Sequence, residues 1–177
     1  MKKFYLLRHA KSGWDDPALG DFERPLAPRG VQACELMTAH FQTKGIQPDL
    51  ILCSSAARAK ATYNGVANAF ADKSEVSFER GLYLAGAKSL LARLQEVGAE
   101  KSSVMMIGHN PGFEMLALAL AGTTKSDAVD RMRVKFPTLA LATFDVTAEK
   151  WAAVGAENVG LADFVVPRDL KAVASKN

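Results

Sequence analysis

Short apolar runs alternate with segments of helical spacing along most of this chain, and that alternation limits the fold more than any other feature. Lys3 to Leu7 is apolar and ends at charge, which predicts a buried strand. Val31, Cys34, Met37 and Phe41 follow at helical spacing, and Gly45 supplies a stop. Asp49 to Cys53 predicts a second strand, and Ser54-Ser55 offers a serine cap for a helix over Ala56 to Phe70. A weaker strand over Val76 to Phe78 leads into an irregular Leu82-Tyr83-Leu84 segment. Lys88 to Val97 carries Leu90, Leu91 and Leu94 on one side of a helix closed by Gly98. Ser103 to Ile107 is another apolar strand, and a Gly108-His109-Asn110-Pro111-Gly112 turn feeds a helix through Leu120. Such alternation predicts βαβ units and a largely parallel sheet. Leu139 to Val146 and Leu161 to Val166 have no long helical pattern between them, so they predict an antiparallel hairpin at one edge of a mixed sheet.

At 177 residues, 49% of them hydrophobic, the expectation is one domain over residues 1–177 that needs no disulfide or metal to hold it together. The longest uninterrupted apolar run, Met115 to Ala121, is far short of the roughly twenty residues a helical membrane span requires. A net charge of +3, with the basic residues dispersed, argues against a nucleic-acid partner. Met1-Lys2-Lys3 and the brief Phe4 to Leu7 run do not reach the length of a signal peptide, so the expected location is cytoplasmic. Cys34 and Cys53 fall in separate elements and read as core fillers. There is no phosphate-loop or dinucleotide glycine motif and no zinc-ligand spacing.

Three polar clusters stand where strands end. Arg8-His9 follows the first, Arg58 lies just after the second, and His109 follows the Val104 to Ile107 strand. Ligands of open α/β sheets gather outside the carboxyl ends of parallel strands, so separate segments deliver two arginines and two histidines to one edge. Arginine's planar fork of donors matches phosphate oxygens. A neutral imidazole is a nucleophile, and a protonated one stabilises negative charge or donates a proton. Cationic neighbours would keep His9 neutral. The chemistry these groups imply is phosphoryl transfer without a metal or other cofactor. His40 has no such setting and is expected to be exposed on the first helix.

Leu7-Arg8-His9-Ala10-Lys11-Ser12 with Trp14 resembles the signature of the histidine phosphatase superfamily, the phosphoglycerate mutase-like proteins, in the form found in SixA-type phosphohistidine phosphatases. The resemblance continues through Arg24-Pro25-Leu26, Arg29-Gly30, Ser54-Ser55-Ala56-Ala57-Arg58-Ala59 with Thr62, Leu82-Tyr83, Gly108-His109-Asn110-Pro111 and Pro137-Thr138. It implies a three-layer α/β fold, a mostly parallel mixed sheet flanked by helices without a large lid insertion. It also implies that His9 is transiently phosphorylated, with Arg8, Arg58 and His109 around the phosphoryl group as catalytic and substrate-binding residues and with no metal.

Glu79 is the candidate general acid, because many larger relatives protonate the leaving oxygen with a glutamate from the corresponding segment. A phosphorylated imidazole leaves more readily than an alkoxide, so a phosphohistidine phosphatase could dispense with it. Asp15 stands where many mutase-type relatives carry a phosphate-contacting asparagine, which argues against their mode of substrate binding. The short stretch from Phe70 to Lys88 offers little for a lid, and an open site with Lys11, Trp14 and Arg80 at its rim is expected. Such a site suits a phosphohistidine on a protein. The alternatives are a small-molecule phosphomonoesterase of the same superfamily and a phospho-ligand binding module without turnover.

Overall fold

The structure, a computed structural model, describes residues 1–70, 74–122 and 124–174; the end of the Phe70 to Lys88 stretch nearest Phe70 thus lies partly outside the described residues. Six strands form one sheet: β1 (Lys2–Arg8), β2 (Leu50–Ser54), β3 (Glu75–Glu79), β4 (Ser103–Gly108), β5 (Leu141–Val146) and β6 (Val159–Val165). Their order is β3-β2-β4-β1-β5-β6. The first four run parallel, β5 turns antiparallel against β1, and β6 pairs antiparallel with β5. The mixed sheet with its terminal hairpin is as the patterning predicts.

Strand alternation sorts the apolar residues onto two faces. Phe4, Leu6, Leu52, Val104 and Met106 point to one core, which is roofed by α3 (Ala87–Gln95), α4 (Gly112–Ala121) and α5 (Asp127–Val134). Tyr5, Leu7, Ile51, Cys53, Met105 and Ile107 point to the other, under α1 (Pro28–Lys44) and α2 (Ala57–Val66). Both faces of β1, β2 and β4 are therefore covered, which is why these strands read as unbroken apolar runs rather than as alternating ones. A last helix, α6 (Pro167–Ala174), packs along α1. The three layers follow directly from this sorting.

Several local expectations shift. In α1 the buried stripe is Gly30, Cys34, Met37 and Phe41, whereas Val31 is exposed. Gly30 is required because a Cβ there would sit 2.2 Å from the Lys11 carbonyl oxygen. Helix α1 ends at Gly45, which is left-handed at φ 62° as its stop role demands. Helix α2 stops at Val66 and begins without a side-chain cap, since its N-cap position is Ala56, whose methyl group has no oxygen to accept a backbone N–H. The sequence reading did not anticipate α5 or α6, although Ser126 caps the former by accepting from the Val129 N–H. Cys34 and Cys53 are buried, unpaired thiols, and burial pushes them up to about 11 and about 12. His40 is half-buried rather than exposed, and that burial lowers its pKa.

Candidate active site

The carboxyl ends of three neighbouring strands build the site, with β4 between β2 and β1. Because Arg8 pairs in register with Gly108, His9 and His109 leave the sheet side by side, and the His9 N–H donates to the Gly108 carbonyl at 2.9 Å. Their ring centroids are 5.1 Å apart. Leu139 holds a left-handed backbone, φ 58°, so that its N–H reaches the carbonyls of both Arg8 and His9. A β-carbon in that region is strained, and such strain persists where surrounding contacts impose it. Thr62, fully buried, accepts from the Ala10 N–H at 2.9 Å and donates to the Arg58 carbonyl at 2.7 Å. That hydroxyl ties the loop after β1 to the first turn of α2, and so fixes Arg58 relative to His9.

His9, Arg58 and His109 are 6%, 2% and 2% exposed. His9 Nδ1 donates to the Ala10 carbonyl at 2.7 Å, which leaves Nε2 as the unprotonated nitrogen. Arg58 Nε donates to that Nε2 at 3.3 Å. The Nε2 of His109 is 2.7 Å from the Ser54 hydroxyl, and its buried Nδ1 has no partner among the described residues. Arg8 is held at the edge of the group by a 2.8 Å bond from its Nη1 to the Phe136 carbonyl. The sequence-predicted residues Arg8, His9, Arg58 and His109 are thus brought together from three chain segments.

Burial and the charges of Arg58, Arg8 and Arg24 push the His9 pKa from 6.5 down to about 4, against the Ala10 hydrogen bond, which raises it. Burial, His9 and Arg58 push His109 down to about 3. Both rings are therefore neutral at neutral pH, where sequence reasoning gave the second histidine a proton. An anion beside it would reverse the dominant Coulomb contribution and raise it.

Sequence reasoning missed Asp21. It lies in a short 3-10 turn, Asp21–Glu23, and takes Arg58 from both sides: its carbonyl accepts from Nη1, and its Oδ2 accepts from Nη2 at 2.9 Å. Its Oδ1 accepts from Arg24 Nε at 3.0 Å, and the Tyr83 hydroxyl donates to Oδ2. The Tyr83 hydroxyl, followed by the Arg58 and Arg24 guanidiniums, holds the Asp21 carboxyl down to about 2. An acid three residues before Arg24 was the available signal, since that spacing lets the pair meet within one turn. Tyr83 also stands edge-on to His109 at 5.4 Å and packs on Phe22 at 4.9 Å. Asp21 and Tyr83 therefore cover the cup, and the expected open site is narrower than the missing insertion implies.

Glu79 is turned to other partners. Its oxygens accept from Arg93 Nε at 2.9 Å, Arg93 Nη2 at 2.8 Å and the Ser77 hydroxyl at 2.9 Å. Burial raises its pKa, yet these bonds outweigh it and the net shift is downward. Arg24 lies 3.5 Å over the Trp14 ring and Arg80 lies 4.3 Å over Phe22, which accounts for two of the expected rim residues. Asp15 is exposed. Among the described residues, no group of three His, Cys, Asp or Glu side chains could hold a metal ion, and no helix is long and apolar enough to cross a membrane.

Residues 4–83 match the family model of the histidine phosphatase superfamily (branch 1). An uncharacterised Mycobacterium tuberculosis protein is 35% identical over 164 residues, which is 92% of this chain and the whole of that protein. Among solved structures, a protein of Agrobacterium tumefaciens assigned as the phosphohistidine phosphatase SixA is 30% identical, with a TM-score of 0.78 over 94% of this chain and 98% of that one. Its counterpart from Nakamurella multipartitia is 26% identical, with a TM-score of 0.81 over 94% and 96% of the two chains. A matching signature at the first strand, the same sheet around it and this whole-chain likeness agree: the chain belongs to the histidine phosphatase superfamily, among its compact SixA-type members.

Proposed function

We propose that this chain is a phosphatase that works through a phosphohistidine at His9 and acts on phosphohistidine carried by a protein in the cytoplasm, without a metal. The carrying observation is the hydrogen bond from His9 Nδ1 to the Ala10 carbonyl, which leaves the Nε2 lone pair facing the Arg58 guanidinium. In the first step Nε2 attacks phosphorus, a new N–P bond forms, and the substrate's N–P bond breaks. The leaving imidazole takes a proton from water, while His109 stands beside the phosphoryl group without serving as its acid. In the second step water attacks phosphorus and gives up a proton, which replaces the one taken by the leaving imidazole. The His9–phosphorus bond breaks, and phosphate leaves with neutral His9 restored. Arg58 and Arg8 stabilise the equatorial oxygens in both steps.

The nature of the leaving group follows from the acids at hand. Asp21 and Glu79 are each held ionised by arginines, so neither carries a proton to give at neutral pH. An alkoxide would need one, whereas an imidazole leaving from a phosphoramidate needs far less help. A phosphohistidine substrate matches this site better than a phosphate ester. The test is to incubate the enzyme with a radiolabelled phosphohistidine protein and quench in alkaline denaturant, where phosphoramidates survive. Label should remain on the wild-type chain and be absent from His9→Ala. Turnover confined to a sugar-phosphate panel would refute the substrate class.

A further inference from the structure

We propose that a cationic hollow beside the catalytic cup docks an acidic stretch of the phosphorylated partner protein. This rests on the protein-phosphohistidine reading above. The hollow encloses about 810 Å³ and opens where Arg8 and Lys11 leave the catalytic loop. Arg29 of α1, Arg131 of α5, Lys135 just beyond it, and Arg168 and Lys171 of α6 complete its cationic lining, and no aspartate or glutamate joins them. Seven cations on one concavity in a chain of net charge +3 mean that the positive charge is gathered here rather than spread. Among the described residues only Arg131 has a carboxylate partner, Asp169.

The distribution of these groups selects the kind of occupant. Arg29, Arg131, Lys135, Arg168 and Lys171 are exposed around the mouth, while the floor is made by the buried Leu139 and Phe164. Val134 stands on the rim 87% exposed. An apolar floor inside a charged rim is the anatomy of a protein interface, and long exposed cations attract an acidic surface before contact. The catalytic cup is built from buried groups suited to a small oxyanion, whereas these five cations are exposed and suited to a charged surface. Since Arg8 lines the hollow, a chain seated there has its neighbouring phosphohistidine next to His9.

The probes are two synthetic phosphohistidine peptides, identical except that a run of glutamates in one is glutamines in the other. The variant is Lys135→Glu combined with Arg168→Glu, two exposed positions outside the cup. Wild type should hydrolyse the acidic peptide with kcat/KM about tenfold higher at low salt, and the double variant should lose that preference while handling the neutral peptide as before. Binding to His9→Ala, followed by fluorescence anisotropy, should show the same ranking without turnover. Equal binding of both peptides, a preference that survives in the double variant, or competition by tripolyphosphate as strong as by the acidic peptide would overturn the docking site. Docking preference without hydrolysis of either peptide would leave this surface standing and remove the phosphohistidine activity instead.

Discussion

Arg58 Nε lies 3.3 Å from His9 Nε2 and donates to it, so a guanidinium addresses the one imidazole nitrogen that the backbone leaves free. Both residues are buried, and the arginine's remaining edge is gripped by Asp21. A group transferred to Nε2 would meet a donor whose direction is already set. Little reorganisation is then needed as charge develops on the phosphoryl oxygens.

Arg58→Lys should lower kcat by roughly 10²–10³-fold, the scale of losing one preorganised donor to a developing oxyanion. Lysine keeps the charge but cannot donate to Nε2 and grip Asp21 at once. Single-turnover rates of His9 phosphorylation would show this, and a rate near wild type would remove Arg58 from the transition state.

Asp21→Asn should leave two guanidiniums without their counter-charge. Asp21 is 41% exposed, so solvent screening limits the stability loss to about 1 kcal/mol, read as a lower urea midpoint. The larger effect should be on rate, about tenfold in kcat with KM little changed, because Arg58 loses its orientation. Asp21→Glu should recover part of it. Loss of stability with an unaltered rate would make Asp21 a purely structural residue.

The chain has three histidines, so ring-proton NMR can follow each one. His9 and His109 should stay neutral from pH 7.5 to pH 5 and titrate only towards about 4 and about 3. Their folded pKa values lie below the unfolded value near 6.5, so the unfolded chain binds more protons between these limits. Stability should therefore be full above pH 6.5 and fall as the pH drops towards 4. Titration of either ring between pH 6 and 7 would contradict the desolvated, cation-flanked site.

Ser54→Ala should cost about 1–3 kcal/mol, because it removes the only hydrogen-bond partner that the His109 ring has among the described residues and leaves its buried Nε2 unpaired. Turnover should fall with it, as His109 loses its fixed orientation. Thermal denaturation and kcat measured on the same preparation would check both halves.

Gly30→Ala should destabilise by about 2 kcal/mol or more, since its Cβ would meet the Lys11 carbonyl and backbone cannot rotate away as a side chain can. The displaced loop carries His9, so kcat should fall even where the variant folds. Gly45→Ala is a useful contrast: nothing crowds its Cβ, and only the left-handed φ opposes it.

The sequence by itself determined the layered parallel sheet, the terminal hairpin and the meeting of Arg8, His9, Arg58 and His109. These follow from local pattern: apolar runs set the strands, and parallel strands present their ends on a common edge. Asp21, and the contacts that Ser54 and Tyr83 make in the site, came only with the tertiary structure. Each meets its partner across the fold rather than along one element, and a hydrogen bond between distant residues leaves no periodic trace. The protonation of the site divides between the two: neighbouring arginines already predict a neutral His9, whereas a neutral His109 required the burial that only the folded chain supplies.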